Sequence, residues 1–232
     1  MSEIPKSMSP IVSRHALLSR GVVKPTIGTA RKQHVIIAPD RSGSMRGAPF
    51  EEALAGTKAL ADELAKPENL DAFLLATAPF NHIAALTPFQ PAASVVLPAG
   101  TSADGMTDFT KPLQLALDAF APYGAPESDP NRPTLVFLTD GKHEPLTPSD
   151  PTPLALALKK IANVVAIALG PDADLGFLAL MASGPTFVTR VTDPRQLRTF
   201  MGAVGATLSR SRRAGRSIAA ASMDPFASRR HG

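Results

Sequence analysis

The chain has 232 residues, of which 44% are hydrophobic, and a formal net charge of +4. This length suits one α/β domain with extensions and a sizeable core. Cysteine is absent, which excludes disulfide bonds and thiolate metal sites and fits a reducing cytoplasm. Residues 1–6 lack the apolar core of a secretory signal, and no apolar stretch approaches the ~20 residues that span a bilayer, so we expect a cytoplasmic protein.

Positive charge is concentrated at both ends of the chain. Residues 1–33 and residues 210–232 each carry six Lys or Arg and one acidic residue, whereas residues 34–209 carry twelve basic and eighteen acidic residues. We therefore expect a basic N-terminal extension (1–33), a central domain (34–209) and an Arg-rich C-terminal tail (210–232). Basic arms on an acidic body favour an anionic partner or a neighbouring copy of the chain. A protein partner is favoured over nucleic acid, because the tail offers only Phe226 for base stacking.

Strand and helix patterns alternate along the sequence. In chain order, a short helix is predicted over 10–19, then a strand at 34–38, a helix at 48–65 and a strand at 71–80. An antiparallel edge strand at 82–86 follows, then a helix at 108–120, a strand at 134–139, a helix at 154–161 and a strand at 164–169. A helix at 175–181, a strand at 186–191 and a helix at 194–208, capped by Asp193, complete the pattern. This order predicts a doubly wound, mostly parallel α/β sheet with helices on both faces and one antiparallel edge strand.

Polar residues follow two of the buried strands. Asp40, Ser42 and Ser44 occupy alternate positions just beyond the first strand, and Asp140 follows the strand that begins at residue 134. Thr107 lies in the loop before the helix at 108–120. Open parallel sheets bind ligands beyond the carboxyl ends of their strands, and carboxylates with hydroxyls suit Mg²⁺ or Mn²⁺ better than zinc or copper. We therefore predict a metal site at Asp40, Ser42, Ser44, Thr107 and Asp140.

These five residues, in this order, resemble the metal-ion-dependent adhesion site of the von Willebrand factor A family. That site is written as Asp-x-Ser-x-Ser, a distant Thr, and a distant Asp before Gly. The resemblance covers residues 34–208, and it implies a Rossmann-like fold and a bound Mg²⁺ (or Mn²⁺) whose shell is completed by an acidic group of a partner protein. It also implies a binding module without catalytic activity. Stand-alone bacterial members belong to stress operons of the tellurium-resistance type or act with AAA+ ATPases, so the resemblance implies a partner of that kind.

Five residues on loops flanking the predicted metal are candidate partner contacts: Arg41, Arg46, Asp108, Lys142 and His143. Their basic members could donate charge-assisted hydrogen bonds to an acidic group, or they could form a solvated rim. Two alternative functions stay open. One is an assembly protein whose basic tails bind neighbouring subunits. The other is a Mg²⁺-dependent phosphohydrolase with Asp40 as nucleophile, which is disfavoured because Ser42 stands where such enzymes place their proton-donating acid.

Overall fold

The computed structural model of the chain describes residues 31–97 and 102–218. The helix predicted over 10–19 therefore lies outside the described residues. Within the described residues, a single sheet has six strands in the order β3-β2-β1-β4-β5-β6, with β3 antiparallel to β2 and every other pairing parallel. Their bounds are β1 Gln33–Pro39, β2 Phe73–Thr77, β3 Gln90–Pro91, β4 Thr134–Thr139, β5 Asn163–Leu169 and β6 Val188–Val191. The predicted fold class is confirmed.

Five α-helices in the described part of the chain cover the sheet: α1 Ala48–Leu64, α2 Thr110–Phe120, α3 Thr152–Ile161, α4 Leu175–Met181 and α5 Leu197–Arg213. Helix α1 packs against α5, whereas α2, α3 and α4 pack in series, so two helical layers enclose the strands. Strands β1, β4 and β5 are buried along their whole length. This burial explains why they appear in the sequence as continuous apolar runs and not as alternating ones.

Three phenylalanines support the loops at the carboxyl ends of the central strands. The rings of Phe80 and Phe109 each lie 4.9 Å from the ring of Phe137 in β4, the first stacked and the second edge-on. All three are almost completely buried. Because Phe80 follows β2 and Phe109 precedes α2, this cluster packs the two loops against β4 and fixes their position relative to the sheet.

The position of the antiparallel edge strand was predicted wrongly. The structure places it at Gln90–Pro91, whereas 82–86 contributes only an isolated bridge between Phe80 and Ala84. The cause is a tight turn, in which the Asn81 amide accepts a hydrogen bond to its side-chain oxygen from the Ile83 N–H while its own N–H donates to the Ile83 carbonyl. A segment bent in this way cannot extend beside β2.

Helix α5 is longer than expected and ends at Arg213, so the first arginines of the predicted tail are helical. Its last turn lies at the amino-terminal edge of the sheet, where the Arg212 guanidinium stands 5.8 Å from the centre of the Phe73 ring at the start of β2. The N–H of Arg216 still donates to the Ser211 carbonyl. The chain therefore leaves α5 at the edge opposite to the carboxyl ends of the strands.

Two glycines in α5 provide a matched test of its contact with α1. A methyl group at Gly205 would lie 2.9 Å from Glu63 Cβ and 3.3 Å from the Leu60 carbonyl oxygen, whereas one at Gly202 would meet nothing within 4 Å. We expect Gly205→Ala to lower the free energy of unfolding by about 1–3 kcal/mol, because the helices must separate. Gly202→Ala should raise it by about 0.5–1 kcal/mol through helix propensity. Urea denaturation of both variants measures the difference, and equal effects would contradict the close contact.

Candidate metal site

The predicted site lies where the chain order of the sheet reverses. Strands β2 and β3 lie on one side of β1, and β4, β5 and β6 lie on the other. The loops that follow β1 and β4 therefore diverge and leave a crevice between them, as open α/β sheets do at such a point. Asp40 follows β1, Asp140 follows β4, and the Asp40 N–H donates to the Leu138 carbonyl at 2.7 Å across the two strands.

Asp40 is fully buried, and the protein orients both of its carboxylate oxygens. Oδ1 accepts a hydrogen bond from the Ser42 N–H at 2.7 Å, and Oδ2 accepts one from the Thr139 hydroxyl at 2.6 Å. The Thr139 oxygen in turn accepts from the Gly141 N–H at 3.1 Å. These bonds connect the loop after β1 to the loop after β4.

The serines connect the same two loops on the solvent side. The Ser44 hydroxyl donates to Asp140 Oδ1 at 2.9 Å, and the hydroxyl oxygens of Ser42 and Ser44 are 3.1 Å apart. Ser42 is buried and Ser44 is exposed. Asp40, Ser42, Ser44 and Asp140 thus form one hydrogen-bonded group that reaches from the interior to the surface.

Thr107 joins the group from a third loop. Backbone hydrogen bonds hold this loop against the first one, from the Gly43 N–H to the Gly105 carbonyl and from the Asp104 N–H to the Arg41 carbonyl. A methyl group built on Gly141 would lie between 3.6 and 3.8 Å from three hydroxyl oxygens, those of Thr107, Ser44 and Thr139. The hydroxyls from three loops therefore surround one small space, and all five predicted metal residues converge there.

This donor set fits a hard divalent cation. It consists of two carboxylates and several hydroxyls, and nowhere in residues 31–97 and 102–218 do three or more His, Cys, Asp or Glu side chains gather as a metal cluster. The pKa of Asp40 is raised to about 6, because burial and, to a smaller extent, the charge of Asp140 outweigh the lowering effect of the hydrogen bonds from Thr139 and Ser42. Burial also raises the pKa of Asp140. A neighbouring positive charge would therefore stabilise the deprotonated form of both carboxylates.

The five flanking residues differ in how freely they can meet a partner. Arg41, Arg46 and Lys142 reach solvent, and Arg46 Nε also donates to the Ala103 carbonyl at 3.4 Å. Asp108 is 6% exposed: burial acts to raise its pKa, but hydrogen bonds from Thr110 and the charge of Lys111 leave that pKa below its usual range. Asp108 therefore mainly stabilises the start of α2.

His143 braces two of the site's loops. Its Nδ1 accepts a hydrogen bond from the Phe109 N–H at 3.2 Å, and its Nε2 lies 2.8 Å from the Ser149 carbonyl oxygen. Because Nδ1 accepts and Nε2 must donate, both bonds require the neutral imidazole. This histidine connects the loop after β4 to the segment that carries Thr107, so it supports the site from the side.

Two residues that contribute to the site were missed in the sequence. Thr139 orients Asp40, and the buried Asn81 donates from Nδ2 to both the backbone and the side-chain oxygen of Asp104 while its own carbonyl accepts from the Asp108 N–H. Each lies at or just beyond the carboxyl end of a parallel strand. Polar residues at that position were the signal that could have identified them.

Comparison with known proteins decides the family. The family model described as "von Willebrand factor type A domain" matches residues 34–203. The chain belongs to the von Willebrand factor type A domain family. No curated protein sequence matches it.

Three proteins of known structure share the fold of the chain. A von Willebrand factor type A protein from Catenulispora acidiphila is 20% identical with a TM-score of 0.61, and it covers 77% of this chain and 43% of its own. The ArnB paralog VWA2 from Sulfolobus acidocaldarius is 18% identical with a TM-score of 0.58, and the match covers 75% of this chain and 45% of that protein. Proximal thread matrix protein 1 from the mussel byssus, described with a zinc-occupied MIDAS (metal-ion-dependent adhesion site) motif, is 18% identical with a TM-score of 0.57. The match covers 77% of this chain and 48% of that protein. The chain thus spans less than half the length of each of these three proteins.

Within the part of the chain that the structure describes, no helix is both long and apolar enough to cross a bilayer.

Proposed function

We propose that this von Willebrand factor type A domain is a metal-dependent protein-binding module. The observation that carries the proposal is the convergence of Asp40, Ser42, Ser44, Thr107 and Asp140, from three loops, on one space at the reversal point of the sheet. These residues would hold Mg²⁺ or Mn²⁺. When bound, the ion would act as a Lewis acid with an open coordination position, which a carboxylate oxygen of another protein could occupy.

The surroundings of the site suit an acidic partner group. Arg41, Arg46 and Lys142 lie on the loops around the crevice and reach solvent. A carboxylate that approaches the crevice could therefore accept charge-assisted hydrogen bonds, which are shorter and stronger than neutral ones. The partner itself, including an AAA+ ATPase or the product of a neighbouring gene in a bacterial stress-response operon, stays a prediction, as does the cytoplasmic location.

The arrangement favours binding over catalysis. A phosphohydrolase would need Asp40 as an exposed nucleophile, but this carboxylate is fully buried and both of its oxygens accept hydrogen bonds from the protein. Ser42, two residues on, has too weakly acidic a proton to assist a leaving group near neutral pH. We therefore expect no hydrolysis of p-nitrophenyl phosphate above background with Mg²⁺. Turnover that Asp40→Asn abolishes would contradict this part of the proposal.

Affinity capture from the native host tests the proposed function. The full-length protein is immobilised in Mg²⁺ or in EDTA, and the captured proteins are compared by quantitative mass spectrometry. We expect at least one protein that is retained in Mg²⁺ by the wild type and lost both in EDTA and with Asp40→Ala. Asp62→Ala serves as the control, because this exposed carboxylate on α1 pairs only with Lys58 among the contacts described. Identical captured sets in Mg²⁺ and EDTA would contradict a metal-dependent module.

A further inference from the structure

An open cleft of ≈ 380 Å³ adjoins the candidate metal site. Asp108 forms part of its wall and directly follows Thr107 in the chain, so the cleft begins within one residue of the predicted ligands. The other walls include His82, Lys111, Leu146 and Pro148, and the Leu146 side chain is 69% exposed. The surface next to the site therefore combines an unprotected apolar side chain with a positive charge.

Two more exposed apolar side chains stand on the same loops. Ile83, 54% exposed, follows His82, and Met106, 40% exposed, precedes Thr107. Exposed apolar residues that cluster beside a polar centre are typical of a binding surface. A ligand that fits would carry one acidic group for the metal and one large apolar side chain for the cleft.

The C-terminal tail of the chain has this chemistry. Residues 219–232 contain one acidic residue, Asp224, in the sequence Met223-Asp224-Pro225-Phe226, together with Arg229 and Arg230. The proline favours an extended conformation for the residue before it. In an extended segment, residues two apart point to the same side, so Asp224 and Phe226 can face one surface together.

The chain leaves α5 at the amino edge of the sheet, opposite to the metal site of its own domain. Helix α5 has 17 residues, so it runs about 26 Å from the carboxyl edge of the sheet to the amino edge. Six residues separate Ile218 from Asp224, and fully extended they span only about 20 Å. That reach is shorter than α5, so we assign the acceptor site to another copy of the chain.

We propose that the tail of one copy binds the metal site of a second copy, with Asp224 completing the metal shell and Phe226 occupying the cleft beside Leu146. This inference rests on the proposed metal-dependent function. The basic residues around the crevice would pair with Asp224, while the domain as a whole, with eighteen acidic and twelve basic residues over 34–209, attracts the basic tail at longer range. The donor segment and the acceptor site are different parts of the chain. Such a contact is heterologous and produces rings or filaments.

Binding of a synthetic peptide tests the proposal. A labelled peptide of residues 219–230 is titrated with full-length Asp224→Asn protein, whose own tail does not compete, and fluorescence anisotropy is recorded in Mg²⁺ and in EDTA. We expect saturable binding in Mg²⁺ and at least tenfold weaker binding in EDTA or with an Asp224→Asn peptide. A Phe226→Ala peptide should bind about tenfold more weakly, because the buried ring is lost.

A double-mutant cycle checks the cleft contact. Adding Leu146→Ser to the Asp224→Asn protein should weaken its binding of the wild-type peptide. The same change should have little further effect on binding of the Phe226→Ala peptide, since the two side chains are proposed to touch. Additive effects would contradict that contact. In addition, sedimentation of the wild-type protein should show self-association in Mg²⁺ that EDTA and Asp224→Asn both abolish.

The outcomes separate this inference from the proposed function. If Mg²⁺ still raises the melting temperature of the Asp224→Asn protein but the peptide does not bind, the tail proposal is wrong and the metal-dependent module stands. Peptide binding that persists in EDTA and falls only with added salt would also overturn the tail proposal, because the basic residues alone would then account for it. If Mg²⁺ leaves the melting temperature unchanged, the proposed function itself fails.

Discussion

In saturating Mg²⁺ or Mn²⁺, the protein is expected to melt several degrees above its melting temperature in EDTA. A ligand that binds only the native state stabilises it by about 2.7 kcal/mol at a concentration 100-fold above its Kd. For a domain of this size, 1 kcal/mol shifts the melting temperature by roughly 2–4 °C, so an increment of about 5–10 °C should appear in differential scanning fluorimetry. Asp40→Ala should abolish the increment, because Asp40 lies at the centre of the converging ligands.

Two further variants make this experiment specific. Thr107→Val removes a predicted ligand hydroxyl while keeping the side-chain shape, so it should reduce the metal increment and leave the melting temperature in EDTA nearly unchanged. Asp62→Ala removes an exposed carboxylate of α1 and should keep the full increment. An equal metal response in the wild type and Asp40→Ala would show that divalent ions act elsewhere on the protein.

In EDTA, the free energy of unfolding is expected to fall as the pH rises from 4 to 6. Burial raises the pKa of Asp40 to about 6 in the native protein, while an unfolded Asp has a pKa near ~3.9. The native state therefore binds this proton more tightly, and its advantage is lost as the pH rises through that window. The loss amounts to about 3 kcal/mol at neutral pH, since each pKa unit corresponds to roughly 1.4 kcal/mol.

The contribution of Asp40 can be isolated by comparing the wild type with Asp40→Asn. The variant does not titrate at this position, so urea denaturation should give it a flatter profile between pH 4 and 6 and a more stable metal-free protein at pH 7. His34, whose pKa is lowered by burial and by the charge of Arg31, titrates alike in both proteins and drops out of the difference. Saturating Mg²⁺ should reverse the sign of the wild-type slope, because the metal requires the deprotonated carboxylate. Parallel profiles in EDTA would contradict the buried position of Asp40.

The sequence was most informative where local and tertiary preferences agree. Strand β4 begins and ends as predicted, and α4 does too, because each pattern is uninterrupted and bounded by polar or breaking residues. The site followed from the same logic, since the carboxyl ends of two parallel strands must meet at one edge of the sheet. The structure brings all five predicted metal residues together, while metal binding itself stays a prediction.

The features that were missed depend on contacts between distant segments. Strand β2 begins later than its apolar run suggests. Leu70 and Asp71 adopt positive φ angles of 49° and 53°, so the preceding turn extends to Asp71 and the strand starts only at Phe73. Only the folded loops show that Asn81 bonds to Asp104 and that Thr139 bonds to Asp40. Side-chain to side-chain bonds between loops leave no periodic pattern in a sequence.

The short strands at the two sides of the sheet affect how copies of the chain can meet. At one side β3 has two residues and includes Pro91, which has no N–H to donate, and at the other β6 has four residues. Long unpaired strands are the usual template for fusion of sheets between molecules, and neither side offers one. If copies associate through the tail as proposed, they therefore lack a ready path to cross-β aggregation, and dilution or removal of metal should dissociate them completely.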